Sequence, residues 1–333
     1  MKIVVDDKIP YIRETICQLA DEVVFLSGAA ITAEDVRDAD VLVVRTRTRC
    51  NRQLLEGSKV QLVVTATIGY DHIDTHWLES AGIRWTNCPG CNSGSVAQYV
   101  ECALLLLEQQ KELLLRQSTI GIVGCGHVGS KVRAVAERLG MQVLVCDPLL
   151  GNPSFVSLDE IEKHCDVITF HVPLSREGTY PTWHMADENF FHRLPRVPYI
   201  INTSRGEVVD NQALLAALQD GRVRDAVIDV WEHEPHPDGE LLDRVFIGTP
   251  HIAGYSADGK TNADNMVIDA ICQHFDLPHP GKIVPPALPS DFHYTGNPLD
   301  LYNPMVDSQK LKADTSQFEQ LRNNYPLRRE KND

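Results

Sequence analysis

The feature that most constrains the fold of this chain is an alternation of short apolar runs, rich in Val and Ile, with longer helical patterns. The runs are three to six residues long, and the stretches between them are long enough for the crossovers that join parallel strands. The alternation therefore predicts an α/β fold built on parallel sheets. The predicted strands are Lys2–Val5, Val23–Leu26, Val41–Val44, Val60–Thr65, Arg84–Thr86, Thr119–Val123, Val143–Cys146, Val167–Phe170, Tyr199–Asn202, Ala226–Asp229 and Val245–Ile247.

The series of strands is interrupted once, by a turn rich in Pro, Gly, Asn and Ser over Cys88–Gly94. Ser95, with Gln98 three residues later, matches a capping box that would open a long helix. Because 333 residues exceed one ordinary domain of about 150, we expect the chain to cross between two domains here. Further helices are predicted around Pro10–Ala20, Lys131–Leu139 and Asn262–Phe275.

Composition excludes several classes of protein. A net charge of −15 argues against a general binder of nucleic acid, which needs cations for the phosphate backbone. The beginning MKIVVDDKIPY does not match a signal peptide, and the leucine-rich cluster Ala103–Leu107 is far shorter than the ~20 residues that span a bilayer. Nine scattered cysteines predict reduced thiols. We therefore expect a cytoplasmic protein with no membrane partner and no metal site.

A glycine pattern follows the predicted strand Thr119–Val123. Gly124, Gly126 and Gly129 form G-x-G-x-x-G and lead into the helix Lys131–Leu139. The first glycine permits a tight turn, the second lets a pyrophosphate approach the backbone, and the third allows close packing of helix on strand. Asp147 ends the next strand, where its carboxylate would bind ribose hydroxyls and repel a 2′-phosphate. This combination favours NAD over NADP as the cofactor.

Unusual polar residues follow three later strands. Arg205 comes after Tyr199–Asn202, Glu234 lies shortly after Ala226–Asp229, and His251 stands in a loop rich in Gly and Pro. Considered one at a time, each of these residues could be an ordinary surface or turn residue. Oxidation of a secondary alcohol needs a base, which an imidazole supplies, and an Arg fork holds a carboxylate. Behind a dinucleotide pattern, the three together predict a reacting site.

The order of the motifs GIVGCGHVG, CDP, INTSRGEVVDN, DVWEHEP and TPHIAGY resembles the D-2-hydroxyacid dehydrogenase family over nearly residues 1–280. The resemblance implies that Arg205 anchors the substrate carboxylate, that Glu234 pairs with the histidine, and that His251 is the acid/base. The spacing from Asp229 matches Glu234 and not Glu232.

The resemblance also implies the fold and its division along the chain. We expect a doubly wound Rossmann domain with a parallel sheet, a flavodoxin-like α/β substrate domain and a short C-terminal extension. The substrate domain is expected at 1–92 with a return at about 277–285, the NAD-binding domain at 93–276, and the extension at 286–333.

Several segments, among them VTATIGYDHID and IGTPHIAGYSADGK, are similar to a narrower group that acts on a phosphorylated four-carbon 2-hydroxy acid. That match implies substrate contacts from Thr46, Thr67 and Tyr255. Val172 replaces the usual Thr of this group, so a hydroxyl contact is lost there. The residues implied at the NAD site are His127, Val128, Asp147, Val172, Thr203, Ser204, Arg205, Asp229 and Gly254.

A phosphorylated substrate is also suggested by the residues after Val41–Val44. Arg45, Arg47 and Arg49 alternate along the chain, so in an extended conformation they would share one face. Arg45 and Arg47 are therefore candidate substrate contacts, with a solvated basic edge as the equally balanced alternative.

The segment 286–333 is polar and poor in apolar periodicity, and composition alone leaves it as a small assembly element or a partly disordered tail. Its stretch FEQLRNNYPLRRE resembles part of a dimerisation domain in the narrower group, but the chain stops at Asp333, short of that domain's usual end. We expect a homodimer and leave open whether this shortened segment forms it.

Two alternatives stay open at this stage. The chain could be another member of the family, acting on 3-phosphoglycerate or on glyoxylate and hydroxypyruvate. It could also be a protein that senses NAD(H) and binds partners, because an intact Arg205, Glu234 and His251 set does not exclude that role. Measuring turnover on a panel of 2-hydroxy acids distinguishes the members of the family from one another. NADH binding without turnover on any acid would support the sensor.

Overall fold

The structure is a computed structural model that describes residues 1–330. Contacts divide the chain into a first unit, Met1–Asn92 with Ser256–Pro289, and a second unit, Ser93–Tyr255 with the chain from Ser290 onward. The return to the first unit was expected at about residue 277, whereas the structure places it at Ser256. Of the predicted extension 286–333, the last three residues lie outside the described part.

The first unit is built on a parallel sheet of five strands. They are β1 (Lys2–Asp6), β2 (Glu22–Leu26), β3 (Val41–Val44), β4 (Leu62–Thr65) and β5 (Arg84–Thr86). Their order is β2-β1-β3-β4-β5, the flavodoxin-type arrangement. Every residue of β3 and β4 is buried, which explains why both strands read as continuous apolar runs instead of an alternation. The predicted flavodoxin-like domain is confirmed.

Helices cover this sheet, and most of them are short. They are Arg13–Ile16, Ala33–Val36, Arg52–Leu55, Thr75–Ser80 and Ala257–Phe275, with a 3-10 turn at Gly28–Ala30. The first helix is much shorter than the predicted Pro10–Ala20. After Ile16 the backbone tightens, because Gln18 and Leu19 donate to carbonyls three residues back, so the α-helical ladder ends early.

The helix Ala257–Phe275 explains where the chain returns to the first unit. Its buried residues Ala263, Val267 and Ile271 recur every four positions and pack in one cluster with Ile3 and Val43 of the sheet. The helix begins well before residue 262, because the Ser256 hydroxyl caps it by accepting the Gly259 amide at 2.8 Å.

The second unit is built on a parallel sheet of six strands. They are β6 (Thr119–Val123), β7 (Gln142–Cys146), β8 (Val167–Phe170), β9 (Tyr199–Asn202), β10 (Asp225–Ile228) and β11 (Ile247–Gly248). The order is β11-β10-β9-β8-β6-β7. From β6 the chain moves to one side for β7 and then to the other for β8, so the topological switch lies between β6 and β8. The predicted doubly wound Rossmann sheet is confirmed.

The helices of the second unit pack on both faces of this sheet. They are Ser93–Lys111, His127–Arg138, Leu158–His164, Glu188–Arg193, Asn211–Gln219, Gly239–Arg244, Pro298–Leu301, Pro304–Ala313 and Phe318–Asn323, with 3-10 turns at Leu115–Gln117, Gly206–Val208 and Thr315–Gln317. Among residues 1–330, no helix is both long and apolar enough to cross a bilayer.

The predicted capping box at the start of the long helix is wrong. The helix begins at Ser93, so Ser95 lies inside its first turn, and its buried hydroxyl makes no hydrogen bond within residues 1–330. Gln98 is instead used by the C-terminal residues: its Oε1 accepts from Arg328 Nε at 2.9 Å, and its Nε2 donates to the Arg329 carbonyl at 2.9 Å. A tertiary contact therefore replaces the local one.

The C-terminal segment, defined here as residues 290–330, folds against its own Rossmann unit. Leu311 and Phe318 join the cluster of Ile228 and Trp231, and the Ser308 hydroxyl accepts the Gly248 amide at 3.0 Å. Its low apolar content had suggested an assembly element or partial disorder. A few well-spaced buried side chains are enough to dock it, because the Rossmann unit supplies the rest of the core.

Candidate active site

The glycine loop lies at the carboxyl end of β6, beside the topological switch. Gly124 has φ +89° and a Cβ there would lie 2.6 Å from the His171 carbonyl oxygen, so only glycine fits. A Cβ at Gly129 would collide with the Gly124 carbonyl oxygen. At Gly126, in contrast, an added Cβ would have no atom of residues 1–330 within 4 Å, apart from those of Gly126 and its two chain neighbours. The open space beside Gly126, at the start of the helix His127–Arg138, fits a bound pyrophosphate.

Asp147 closes this loop on its other side. Its Oδ2 accepts the Cys125 amide at 2.8 Å, and its Oδ1 accepts the Leu149 amide at 3.2 Å. The carboxylate thus stands half-buried at the end of β7, next to the glycine loop. This is the position at which an acidic residue binds the ribose hydroxyls of NAD.

The other residues predicted at the NAD site follow the carboxyl ends of the second unit's strands. His127 and Val128 open the helix after the glycine loop. Val172 follows β8, and its Cγ1 lies 2.8 Å from the point that a Cβ at Gly124 would occupy. Thr203 and Ser204 follow β9, where the Ser204 hydroxyl donates to Asn202 at 2.8 Å. Gly254 lies in the loop after β11.

Asp229, also predicted to contact NAD, organises the loop that carries His251. Its carboxylate is buried and accepts the Thr249 hydroxyl at 2.6 Å and the amides of Ile252 and Ala253 at 2.8 and 2.9 Å. Burial raises the pKa of Asp229, and these hydrogen bonds offset only part of that rise. His251 itself has φ +56°, and its amide donates to the Asp229 carbonyl at 2.8 Å.

His251 and Glu234 form the central pair of the site. His251 Nδ1 lies 2.8 Å from Glu234 Oε2 and 3.0 Å from Oε1. A carboxylate accepts the proton of Nδ1, so this contact leaves the lone pair on Nε2 in the neutral ring. Within residues 1–330, Nε2 makes no hydrogen bond, which leaves it available to a substrate hydroxyl.

The environment of Glu234 keeps its carboxylate ionised. Burial alone would raise its pKa, but the hydrogen bond and charge of His251, the Trp231 amide at 3.1 Å and the charge of Arg322 together hold that pKa below its ordinary value. An ionised carboxylate at 2.8 Å stabilises an imidazolium that forms when His251 accepts a proton. The pair is therefore arranged as a general base with its orienting acid.

Glu232, two residues earlier, has a different partner. Its Oε1 lies 2.6 Å from His184 Nε2, and its Oε2 accepts the Asn211 amide at 3.0 Å. His184 Nδ1 also lies 3.4 Å from Asp210, which caps the helix Asn211–Gln219. Ligand atoms of His184, Asp210 and Glu232 lie within 4.8 Å of one another, but their hydrogen bonds to each other and to the helix start account for the cluster.

Arg205 is placed by packing against the loop that carries Glu234. A Cβ at the next residue, Gly206, would collide with the Trp231 backbone, so the two loops are in close contact. The Arg205 guanidinium donates through Nη1 to the Ser204 carbonyl at 2.8 Å. Among residues 1–330, no carboxylate pairs with this half-buried guanidinium. It is therefore available to bind a substrate carboxylate.

Tyr255, a predicted substrate contact, leads to a residue that sequence reasoning missed. Its hydroxyl accepts from Arg322 Nε at 3.2 Å, and its ring packs on Tyr325 with centroids 5.8 Å apart. Arg322 Nη1 also lies 3.9 Å from Glu234 Oε2. The stretch containing Arg322 had been singled out only as a dimerisation-type segment, and no local pattern marks one of its arginines as a site residue.

The predicted substrate residues Thr46, Thr67, Arg45 and Arg47 belong to the first unit. A turn follows Val44, so the assumption that Arg45, Arg47 and Arg49 extend along one face is wrong. Arg45 is half-buried and donates to the Lys8 carbonyl at 3.1 Å, whereas Thr46 and Arg47 are exposed. The Thr67 hydroxyl lies 2.6 Å from that of Thr65 and donates to the Gly69 carbonyl.

Two charged residues of the first unit were missed. Burial and the neighbouring charge of Arg45 lower the pKa of Lys260. Asp264, one turn further along the same helix, is buried and accepts the Tyr11 amide at 3.2 Å. Burial raises the pKa of Asp264 to about 7 despite the nearby cations. The spacing of four residues between Lys260 and Asp264 was a signal in the sequence that these charges share a helix face.

The fold and the site define a dehydrogenase: a dinucleotide loop at a topological switch, followed by a histidine base paired with a carboxylate. The sequence pattern described as "D-isomer specific 2-hydroxyacid dehydrogenase, NAD binding domain" matches residues 106–253. The chain belongs to the family of D-isomer specific 2-hydroxyacid dehydrogenases, and its second unit binds NAD.

Known proteins agree with this placement. The chain is 55% identical to a Bacteroides fragilis protein named erythronate-4-phosphate dehydrogenase, over 99% of this chain and 97% of the relative. A Porphyromonas gingivalis protein of the same name is 40% identical, over 99% of this chain and 94% of that relative. Among solved structures, an NAD⁺-bound 3-phosphoglycerate dehydrogenase from Entamoeba histolytica is similar with a TM-score of 0.70 and 28% identity, covering 86% of this chain and 99% of that one.

Proposed function

We propose that this protein oxidises 4-phospho-D-erythronate to 2-oxo-3-hydroxy-4-phosphobutanoate with NAD, a step of pyridoxal 5′-phosphate (vitamin B6) biosynthesis. The choice of substrate is supported by the relatives named erythronate-4-phosphate dehydrogenase, which match nearly the whole chain at 55% and 40% identity. The reaction type rests on one observation above all, the hydrogen bond of 2.8 Å between His251 and Glu234 with His251 Nε2 left open.

The residues have the following roles in this proposal. Arg205 binds the substrate carboxylate through its guanidinium fork, which fixes C2 beside His251. His251 Nε2 accepts the proton of the C2 hydroxyl, and Glu234 stabilises the imidazolium that results. NAD, when bound, supplies the acceptor for the hydride that leaves C2. The products are thus the 2-oxo acid, NADH and one proton, which His251 returns to solvent.

In this proposal the cofactor and substrate contacts are the ones expected from the sequence, with one addition. Asp147 binds the adenosine ribose, and the amides at the start of the helix His127–Arg138 bind the pyrophosphate, which the open space at Gly126 permits. Asp229 and Gly254 complete the NAD site. We assign the substrate contacts to Thr46, Thr67 and Tyr255, and we add Lys260 to Arg45 and Arg47 as candidate cations for the phosphate.

The test is an absorbance assay at the NADH band with purified protein and NAD. The acids compared are 4-phospho-D-erythronate, 3-phosphoglycerate, glycerate and D-lactate. We expect kcat/KM for 4-phospho-D-erythronate to exceed every other value by at least about tenfold, since a site built to bind a substrate group strongly rejects analogues that lack it. A preference for 3-phosphoglycerate would reassign the substrate. NADH binding without turnover on any acid would support a sensor instead.

We further propose a homodimer that acts in the cytoplasm. The dimer is supported by the resemblance of Phe318–Glu330 to a dimerisation segment, although in this chain Phe318 and Arg328 are buried against the Rossmann unit of the same subunit. Light scattering during gel filtration measures the mass directly, and a monomer of 37.2 kDa at micromolar concentration would refute the dimer. Fractionation of the source cells tests the location.

A further inference from the structure

The C-terminal segment contributes a charged side chain to the catalytic pair. Arg322 Nη1 lies 3.9 Å from Glu234 Oε2, the oxygen that is 2.8 Å from His251 Nδ1. Arg322 Nε donates at 3.2 Å to the hydroxyl of Tyr255, a predicted substrate contact. A single guanidinium is therefore ion-paired with the carboxylate that orients the base and hydrogen-bonded to a residue assigned to the substrate.

The position of Arg322 is fixed by the fold of the segment. It lies four residues after Phe318 on the helix Phe318–Asn323, so both side chains project from the same face. Phe318 is 1% exposed and sits in the Rossmann core, which holds this face inward. The Arg322 side chain keeps 25% exposure, and its guanidinium carbon lies 5.9 Å from the centroid of the Tyr255 ring.

A second arginine, Arg328, fastens the segment to the loop that carries His251. It is buried, and its guanidinium donates to the carbonyls of Ile252 and Ala253, both at 3.3 Å, and to that of Ser95 at 2.6 Å. The guanidinium carbon also lies 3.6 Å above the Tyr302 ring. The C-terminal segment is therefore packed against the loop that carries His251. This packing fixes the position of Arg322 next to the site.

We propose that Arg322 is a positioning residue of the active site, which holds Tyr255 for the substrate and Glu234 for His251. The inference rests on the proposed function and adds to it a role for the C-terminal segment in catalysis. Arg322 acts through two other residues, so its loss should affect both substrate affinity and the acid limb of the pH profile. A residue with a purely structural role would lower stability without moving that limb.

The charges around Glu234 determine the direction of the pH effect. Two charged or titratable side chains of the described residues face Glu234: His251 from the loop after β11 and Arg322 from the C-terminal segment. Asp229, at the end of β10, interacts in turn with Arg322. Arg322 is the fixed cation of this set, and its charge lowers the pKa of Glu234. Removing it should raise that pKa and favour protonation of the hydrogen-bonded Glu234–His251 pair. Activity that needs the carboxylate ionised and the imidazole neutral should then be lost at a higher pH as the solution is acidified.

The experiment compares Arg322→Gln, Arg322→Lys and the control Lys310→Gln, which removes a cation from an exposed site of the same segment. We expect Arg322→Gln to lower kcat/KM about 5- to 30-fold, partly through KM, and to shift the acid limb to higher pH. Arg322→Lys should restore the wild-type position of the acid limb, because it keeps the charge beside Glu234. It should not restore the wild-type KM, because the hydrogen bond from Nε to the Tyr255 hydroxyl is lost. Lys310→Gln should resemble the wild type in both respects.

A double-mutant cycle with Tyr255→Phe tests the second contact. If Arg322 acts through Tyr255, the two effects on KM should overlap, so that the double variant is within about threefold of the worse single variant. Multiplicative effects on KM together with an unmoved acid limb would overturn the proposal. Thermal unfolding of each variant identifies any that fail to fold.

The pKa of Glu234 is also measured without turnover, by ¹³C NMR titration of labelled glutamate with Glu234→Gln to assign the signal. It should rise in Arg322→Gln and stay unchanged in Lys310→Gln; an equal pKa in all proteins refutes the contact. The kinetic comparisons use whichever acid the wild type oxidises best. A different preferred acid would therefore refute the proposed substrate while still testing Arg322.

Discussion

Replacing Glu234 by Gln tests the arrangement of the catalytic pair most directly. The amide keeps the shape of the side chain but removes the charge that faces the imidazolium at 2.8 Å. Hydrogen bonds to charged groups contribute about 1.5–3 kcal/mol, and each ~1.4 kcal/mol in the barrier changes the rate tenfold. We therefore expect kcat to fall about 10- to 150-fold. NAD affinity should stay near that of the wild type, because Glu234 is not among the residues assigned to NAD.

The assay is the initial rate of NADH formation at saturating NAD, with NAD binding measured separately by protein fluorescence. The matched control is Glu232→Gln, which changes the same chemistry two residues earlier at a side chain paired with His184 and not with His251. The control should keep kcat within about threefold, although its thermal stability can fall because the pair at 2.6 Å is lost. Equal losses in the two variants, or full activity of Glu234→Gln, would refute the reasoning.

Three further predictions concern the base, the cofactor and the C-terminal segment. His251→Ala should lower kcat by ~10²–10⁴-fold while NAD affinity is kept; retention of a tenth of the wild-type kcat would assign the base elsewhere. Asp147→Ala should weaken NAD binding and reduce the preference over NADP, as measured by the ratio of kcat/KM values; equal use of both cofactors by the wild type would contradict this. Phe318→Ala should lower the free energy of unfolding by about 3–5 kcal/mol in urea titrations, since the ring is 1% exposed; a change below about 1 kcal/mol would mean that the segment is not docked in solution.

Much of the fold could be predicted because parallel strands buried on both faces leave a strong local signature. Val41–Val44, Thr119–Val123 and Tyr199–Asn202 lie where the apolar runs predicted them. The glycine loop could be predicted for a similar reason, since its pattern is local: Gly124 takes a positive φ, and Gly129 packs on the Gly124 carbonyl five residues earlier. Information of this kind is contained in short stretches of sequence.

The features that could not be predicted depend on residues far apart in the chain. Ser95 and Gln98 match a local capping pattern, but the partner of Gln98 is Arg328, 230 residues away. The basic residues after β3 suggested an extended edge, but the chain turns after Val44 and takes Arg45 to the Lys8 carbonyl. Likewise, nothing near Arg322 in the sequence indicates Glu234 or Tyr255. Such contacts are determined by packing, which periodicity does not encode.

The buried guanidinium of Arg328 has a consequence for how activity arises during synthesis. Its bonds to Ser95 and to the carbonyls after His251 join three stretches that leave the ribosome at very different times. The Rossmann sheet can form as soon as β11 has emerged, because domains fold as units during translation. The loop bearing the base, however, gains its two hydrogen bonds from Arg328, at the Ile252 and Ala253 carbonyls, only when residue 328 arrives. A nascent chain halted before that point should bind dinucleotide before it can turn over an acid.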